Sequence, residues 1–87
     1  MPEESIENTP TVDIVINYEG RKMFFRTERT TPLVNIMTQA NRRTGLPRDT
    51  MRFVFDGVRL FGSETPDKLE MDEGENYIDC LVQQTGG

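Results

Sequence analysis

The sequence predicts an α+β fold in which a mixed sheet folds over one main helix. Several short segments alternate apolar and polar residues with the period of a β-strand. One segment carries an apolar stripe at helical spacing, and it lies between two hairpin patterns. The chain has 87 residues, 34% of them hydrophobic, which is enough for one small core and too little for two. A single roll of sheet and helix satisfies all three observations.

The first predicted element is a hairpin over residues 12–27. Apolar residues recur at every second position from Val12 to Tyr18, and Met23–Thr27 is a second β-prone run. Glu19 and Gly20 between them suit a tight turn, because glycine adopts a positive φ easily.

A helix is predicted next, with its start marked by Thr30–Pro32. A threonine hydroxyl can cap free amide groups there, and proline fits the first helical position. The core-facing stripe would comprise Leu33, Ile36, Met37 and Ala40. Two arginines in the last turn, then Gly45 and Pro47, mark the end of the helix.

The remaining elements are a second hairpin and a final strand. Residues 51–55 and 58–60 flank Asp56–Gly57, a strong hairpin turn. Residues 64–69 resemble one capped helical turn, and residues 72–75 form an acidic turn. The last strand is predicted over 76–82. The residues expected to supply most of the core are Leu33, Ile36, Phe53, Phe55, Ile14 and Ile78.

The predicted folded domain covers residues 12–82 and lies between two tails. Residues 1–11 are acidic and proline-containing, and they predict a disordered tail. Residues 83–87 lack an apolar anchor and predict a flexible C-terminal tail. The first four residues do not resemble a secretory signal, and no apolar run approaches the ~20 residues of a membrane span.

Composition excludes several classes of function. A single cysteine rules out a disulfide scaffold, and one cysteine without any histidine argues against a zinc site. The net charge is −5, yet nine of the ten basic residues lie within 21–59. The arginines allow a nucleic-acid binder, but the net charge and sparse aromatic interleaving disfavour it. Cys80 allows a thiol enzyme, but without histidine a small buried residue is the better interpretation.

Three segments resemble the SUMO proteins of the ubiquitin-like, β-grasp class. They are Met51–Leu60, Thr65–Gly74 and the ending Gln84-Thr85-Gly86-Gly87, and the resemblance spans residues 12–87. It implies a β-grasp roll and a covalent protein tag that is not an enzyme. In this family an activating enzyme adenylates the terminal carboxylate, which passes through thioesters to a substrate lysine. The carboxylate would be that of Gly87, with Gly86, Thr85 and Gln84 leading to it.

The resemblance also implies a groove between the second strand and the helix. In SUMO proteins this groove takes a short hydrophobic peptide as an added strand, often one with acidic flanks. The matching positions are Val12, Phe25, Arg26, Thr27, Ile36, Ala40 and Arg43. This sequence departs from the family at Glu28 and Asn35, where lysine is common, and at Ala40, which replaces a larger residue. Phe25 and Ile36 could equally be plain core residues.

An acidic surface is the third implied site. Asp72, Glu73 and Glu75 match the side that contacts a basic face of the conjugating enzyme, a contact that mainly sets encounter rate. In this fold they are expected near the hairpin at 17–20. The turn carries one extra residue relative to the family.

The resemblance implies a set of partners and a location. The partners are SUMO activating and conjugating enzymes, ligases, SUMO-specific proteases, substrate lysines and proteins with SUMO-interaction motifs. No cofactor is expected, since ATP is used by the activating enzyme. Neither a membrane nor a nucleic acid is expected as a partner, and the chain is expected to be a monomer in the nucleus and cytoplasm. The alternative is a non-conjugated interaction domain of the same fold.

One lysine pattern bears on self-linkage. Residues 1–11 contain no lysine, and Lys68-Leu69-Glu70 lacks the hydrophobic residue before the lysine of the family's acceptor motif. Copies of this protein are therefore expected to be linked poorly to one another.

Overall fold

A computed structural model describes residues 10–82. It contains five strands and one α-helix, and a short 3₁₀ turn, Arg48–Thr50, precedes the third strand. The elements are β1 (Thr11–Tyr18), β2 (Arg21–Glu28), α1 (Val34–Thr44), β3 (Met51–Phe55), β4 (Val58–Leu60) and β5 (Glu75–Val82). The predicted α+β roll is confirmed. The two predicted tails lie largely outside the described residues.

The five strands form one mixed sheet in the order β2-β1-β5-β3-β4. β1 and β5 are parallel, whereas the β1–β2, β3–β4 and β3–β5 pairs are antiparallel. Both hairpin turns have positive φ at their two central residues: Glu19 (48°) and Gly20 (80°), Asp56 (53°) and Gly57 (81°). Positive φ at both positions defines a type I′ turn, whose twist matches that of the strands it joins. The strand order makes β2 and β4 the two edges of the sheet.

The core lies between α1 and one face of the sheet. Leu33, Ile36, Met37 and Ala40 are all buried, as the apolar stripe predicts. They pack in one cluster with alternate residues of the strands, including Ile14, Phe53 and Ile78. Phe55 is only partly buried, because it lies next to the turn that ends β3.

The end of α1 follows the prediction and its beginning does not. Gly45 is left-handed (φ 75°), and its N–H donates to the carbonyl of Asn41 at 2.9 Å. The helix begins at Val34, two residues after Pro32, with no side-chain cap. The free N–H groups of Leu33 and Val34 instead donate to the carbonyls of Glu64 and Gly62, at 2.8 and 3.0 Å. The predicted threonine cap is therefore wrong, because a distant loop satisfies these amides.

Candidate functional site

The outer edge of β2 carries unpaired backbone groups. The N–H of Arg29 donates to the carbonyl of Pro10 at 3.1 Å, so residues 10 and 29 form a hydrogen-bonded pair. In antiparallel strands such pairs alternate with non-hydrogen-bonded pairs. Every second residue of β2 therefore points its N–H and C=O away from β1. These residues are Lys22, Phe24, Arg26 and Glu28. One of these groups, the Glu28 carbonyl, accepts a hydrogen bond from the Thr31 N–H at 3.1 Å.

The groove predicted between β2 and α1 has a buried apolar floor. Four of the seven predicted residues belong to it, with exposures of 8% or less: Val12, Phe25, Ile36 and Ala40. The Arg43 guanidinium lies over the Phe25 ring, 4.6 Å from the ring centroid. This contact joins helix and strand across the floor, because a cation is attracted to the face of an aromatic ring. The floor residues support the groove and belong to the core at the same time.

The other three predicted residues lie at the rim, but on two different faces of the sheet. Thr27 is half-buried on the helix side, and Arg43 is exposed near the end of α1. Arg26 is on the opposite face, where its Nε donates to the Asp13 carboxylate at 2.8 Å. This ion pair raises the pKa of the already permanently charged Arg26. The structure therefore places six of the residues on the helix side of the sheet and Arg26 on the outer face.

The groove continues toward the β1–β2 turn into a cavity that the sequence did not predict. Its volume is about 420 Å³. It is lined by Tyr18, Glu19, Arg21, Lys22, Met23, Arg43 and Thr44. Partial desolvation raises the pKa of the Tyr18 phenol, and the nearby Glu19 carboxylate raises it further. Alternation along β2 could have identified Met23 as a groove residue, since it shares the face of Phe25.

The acidic turn is held in place by one buried side chain. Asn76 is 5% exposed, and its Oδ1 accepts a hydrogen bond from the Asp72 N–H at 2.9 Å. Its Nδ2 donates to the carbonyls of Asp72, Gly74 and Asp13, at 2.9, 3.1 and 3.2 Å. Asp72, Glu73 and Glu75 are all exposed around it. The three predicted acidic residues therefore form one surface on a rigid turn.

The position of this surface differs from the expectation. The parallel pairing of β1 and β5 sets Glu75 opposite Asp13 and Asp79 opposite Asn17. At roughly 3.3 Å per residue, Asp13 and Asn17 are about 13 Å apart. The acidic turn therefore lies at the start of β1, at the opposite end from the hairpin at 17–20. Glu75 also accepts a hydrogen bond from the Tyr77 hydroxyl at 2.8 Å, which raises the pKa of that phenol.

The predicted conjugation residues lie outside the described residues. They are Gln84, Thr85, Gly86 and Gly87, beyond the end of β5 at Val82.

The structure removes the support for thiol catalysis at Cys80. This side chain is 5% exposed, and burial raises the pKa of its thiol to about 11, with a smaller contribution from the Glu19 charge. Nucleophilic cysteines need a lowered pKa and access to substrate. Within residues 10–82 no group of three or more acidic or cysteine side chains could hold a metal ion. No helix in this range is long and apolar enough to cross a membrane.

Comparison with known proteins identifies the family. Residues 14–82 match the family described as Ubiquitin-2 like Rad60 SUMO-like. The chain belongs to this SUMO-like family. The resemblance stated from the sequence is thereby confirmed, and the family points, as expected, to a protein tag that is not an enzyme.

Curated relatives in plants and animals carry the modifier name. Small ubiquitin-related modifier 2 of Arabidopsis thaliana is 41% identical over 69 residues, which cover 79% of this chain and 66% of the relative. Small ubiquitin-related modifier 2 of Homo sapiens is 37% identical over 89 residues, which cover 99% of this chain and 93% of the relative. The chain thus spans just under two thirds of the plant relative and most of the human one.

The fold has a clear structural neighbour. A structure entitled Caldiarchaeum Subterraneum Ubiquitin superposes with a TM-score of 0.74 at 21% identity, covering 88% of this chain and 99% of that one. This likeness establishes the ubiquitin-like β-grasp fold. Because the family and the fold are both established, the open β2 edge can be interpreted as a feature of a SUMO-like domain.

Proposed function

We propose that this chain is a SUMO-type protein modifier, joined through the carboxylate of Gly87 to substrate lysines. Its membership of a family whose relatives are named modifiers carries this proposal. The activating enzyme would join the Gly87 carboxylate to AMP and release pyrophosphate from ATP. A cysteine thiolate would then displace AMP, a second cysteine would take over the acyl group, and a lysine amine would displace that thiol.

The ending Gln84-Thr85-Gly86-Gly87 suits this chemistry. Glycine has no Cβ, so two successive glycines can enter a narrow enzyme channel that any side chain would block. Thr85 and Gln84 offer hydrogen bonds to ligases and proteases without adding charge. ATP would be bound by the activating enzyme, and this chain itself would need no cofactor.

The open edge of β2 is proposed as the surface through which partner proteins recognise the modifier. An extended peptide would add to β2 as a sixth strand and place apolar side chains over Phe25 and Thr27. Main-chain hydrogen bonds would supply affinity, and pockets for alternate side chains would supply specificity. The outward amides of β2 and the apolar floor beside α1 support this mode.

The acidic turn is proposed as the contact for a basic face of the conjugating enzyme. Asp72, Glu73 and Glu75 present their charges from a turn that Asn76 holds in place. Contacts between exposed charges act mainly on the association rate and weaken with salt. Joint replacement of the three acids by their amides should lower the association rate and flatten its salt dependence.

The remaining expectations belong to the same proposal. The modifier would act as a monomer in the nucleus and cytoplasm, without a nucleic-acid or membrane partner. It would form few chains on itself: Lys68 is exposed, yet the residue before it is Asp67 instead of a hydrophobic one. Ligases and SUMO-specific proteases complete the set of proposed partners.

A conjugation assay tests the covalent role. The chain is incubated with SUMO activating and conjugating enzymes, ATP and a model substrate, beside a variant that lacks Gly86 and Gly87. We expect thiol-sensitive adducts on both enzymes and a thiol-resistant product on the substrate, all absent for the shortened variant. Equal thermal midpoints would show that the truncation leaves the fold intact.

A second outcome would favour the non-conjugated interaction domain. If the intact chain forms no adduct with either enzyme but still binds hydrophobic peptides at β2, the covalent role is wrong and the binding role stands.

A further inference from the structure

An apolar row crosses the outer face of the sheet, opposite α1. Val15 pairs with Phe24 on one side and with Tyr77 on the other, so the three side chains are neighbours on this face. Val15 is 1% exposed although the helix lies on the other face, because its two aromatic neighbours flank it. Phe24 itself is 60% exposed. The row therefore runs to the open edge of the sheet and ends there with an uncovered ring.

Charged residues border this row at the same edge. Arg26, paired with Asp13, lies on one side of Phe24. Lys22 lies on the other side, with its Nζ 5.8 Å from the centroid of the Tyr77 ring. Phe24 and Arg26 also line a cavity of about 400 Å³ whose other walls include Asp13 and Glu75. The outer face beside β2 thus offers an aromatic surface between Lys22 on one side and the Arg26–Asp13 ion pair on the other.

We propose that a peptide added to β2 is recognised on both faces of the sheet. Its residue opposite Phe24 would occupy an outer-face subsite that selects an aromatic or β-branched side chain. The inference rests on the proposed peptide-binding edge, and it adds a subsite that the groove beside α1 does not contain. The occupant is an extended peptide with three successive outward-facing residues that are acidic, apolar and acidic in that order.

Strand geometry gives the reason for the apolar position. Side chains of a strand alternate between faces, so a peptide that inserts every second residue above Phe25 must present the others on the outer face. Directly opposed side chains in neighbouring strands have Cβ atoms about 4.5–5.5 Å apart. The residue opposite Phe24 would extend the row of Tyr77, Val15 and Phe24 by one member and cover its exposed ring. Aromatic and β-branched partners stabilise such pairs most.

The bordering charges give the reason for the acidic positions. The peptide residues two places before and two places after this apolar residue would lie opposite Lys22 and Arg26. Arg26 is already paired with Asp13, whereas no acidic side chain among residues 10–82 forms an ion pair with Lys22. The acid opposite Lys22 therefore contributes more than the acid opposite Arg26.

The test compares two peptides that differ only at the central outward position, which is tyrosine in one and serine in the other. Both carry the same apolar residues on the inward face and the same acidic residues outward. Affinities are measured for the wild-type chain, for Phe24→Gln and for Phe61→Gln. Phe61 is a matched control, because it is similarly exposed (66%, against 60% for Phe24) but follows β4 at the opposite edge.

We expect the wild-type chain to bind the tyrosine peptide about two- to fivefold more tightly than the serine peptide. Phe24→Gln should abolish this preference, and Phe61→Gln should retain it. If the serine peptide binds equally well, or if the preference survives Phe24→Gln, the outer-face subsite is wrong while the binding edge stands. If neither peptide binds the wild-type chain, the proposed edge and the subsite are both wrong.

Discussion

The two edges of the sheet differ in how far they can accept another strand. β2 is eight residues long, contains neither proline nor glycine, and leaves alternate N–H groups pointing outward. β4 is three residues long, and the loop that follows it turns back on itself. There the Glu64 carboxylate accepts hydrogen bonds from the Phe61 and Gly62 N–H groups, at 2.8–2.9 Å. β2 is thus open for pairing, whereas β4 is short and closed.

The difference indicates which edge has a role in binding. Long open edges invite unwanted association, and proteins commonly shorten or cover them. Here β4 is protected in this way, while β2 keeps an exposed phenylalanine between charged side chains. The charges of Lys22, Arg26 and Glu28 limit nonspecific pairing, because an incoming strand must complement them. An edge that is open but charged is suited to a selected partner.

β5 lies in the middle of the sheet and serves as a reference for both edges. The largest expected effect concerns its residue Cys80. Because burial raises the pKa of Cys80 to about 11, about one thiol in a thousand is ionised at pH 8. We expect alkylation of the native chain at pH 8 to be at least about a hundredfold slower than alkylation of the unfolded chain. Mass spectrometry measures both rates. Similar rates would mean that β5 opens as readily as an edge.

Proline substitution tests the contrast between the edges directly. Alternation places the N–H of Arg26 on the outward side of β2. When the alternation in β4 is counted from the type I′ turn, it places the N–H of Arg59 on the outward side of β4. Arg26→Pro removes a hydrogen-bond donor for an added strand without removing one that β1 uses. We expect peptide affinity to fall at least about tenfold, as measured by calorimetry.

Arg59→Pro is the matched control at the other edge. Its peptide affinity should equal that of the wild-type chain. If both substitutions weaken binding equally, the contrast between the edges is wrong; thermal midpoints would identify a loss that comes from unfolding.

The closed edge should depend on pH through Glu64. Partial burial raises the pKa of this carboxyl, but hydrogen bonds from the Phe61 and Gly62 backbones outweigh that effect, so the pKa lies below its usual value. A carboxyl with a lowered pKa in the folded state stabilises the fold above its unfolded pKa, about 4.3. That stability is lost as pH falls through the lower folded value.

Urea unfolding at pH 7, pH 5 and pH 3 tests this role. Glu64→Gln should lower the free energy of unfolding at pH 7 by about 1 kcal/mol and reduce the loss between pH 5 and pH 3. Glu73→Gln, at an exposed glutamate of the acidic turn, should leave the free energy of unfolding within about 0.5 kcal/mol of the wild-type value. A wild-type pH dependence in Glu64→Gln would show that the carboxylate does not stabilise the loop after β4.

Local patterns in the sequence predict the strands and the helix. They miss the features that depend on contacts between residues far apart in the chain. Alternation predicts the strands, and the stripe from Leu33 to Ala40 predicts the buried face of α1. The start of the helix depends on carbonyls of Gly62 and Glu64, which no local motif around Pro32 reveals. The acidic turn lies away from the hairpin because β1 and β5 are parallel, a direction that alternation does not encode.

The same distinction applies to the site. The resemblance to SUMO proteins identifies the groove floor, yet Arg26 lies on the other face once the register of β2 is known. Phe24 is absent from the predicted set because its significance depends on neighbours in two other strands. The position of Val15 in the alternation predicts an exposed side chain. It is buried instead, because those neighbours flank it on the outer face.

Amide hydrogen exchange with and without a hydrophobic, acid-flanked peptide tests the central claim, that β2 is an open edge that receives an added strand. We predict that the peptide slows exchange at the outward amides of Lys22, Phe24, Arg26 and Glu28, and leaves those of β4 unchanged. Slower exchange at β4, or unchanged exchange at β2 when the peptide is bound, would contradict the account.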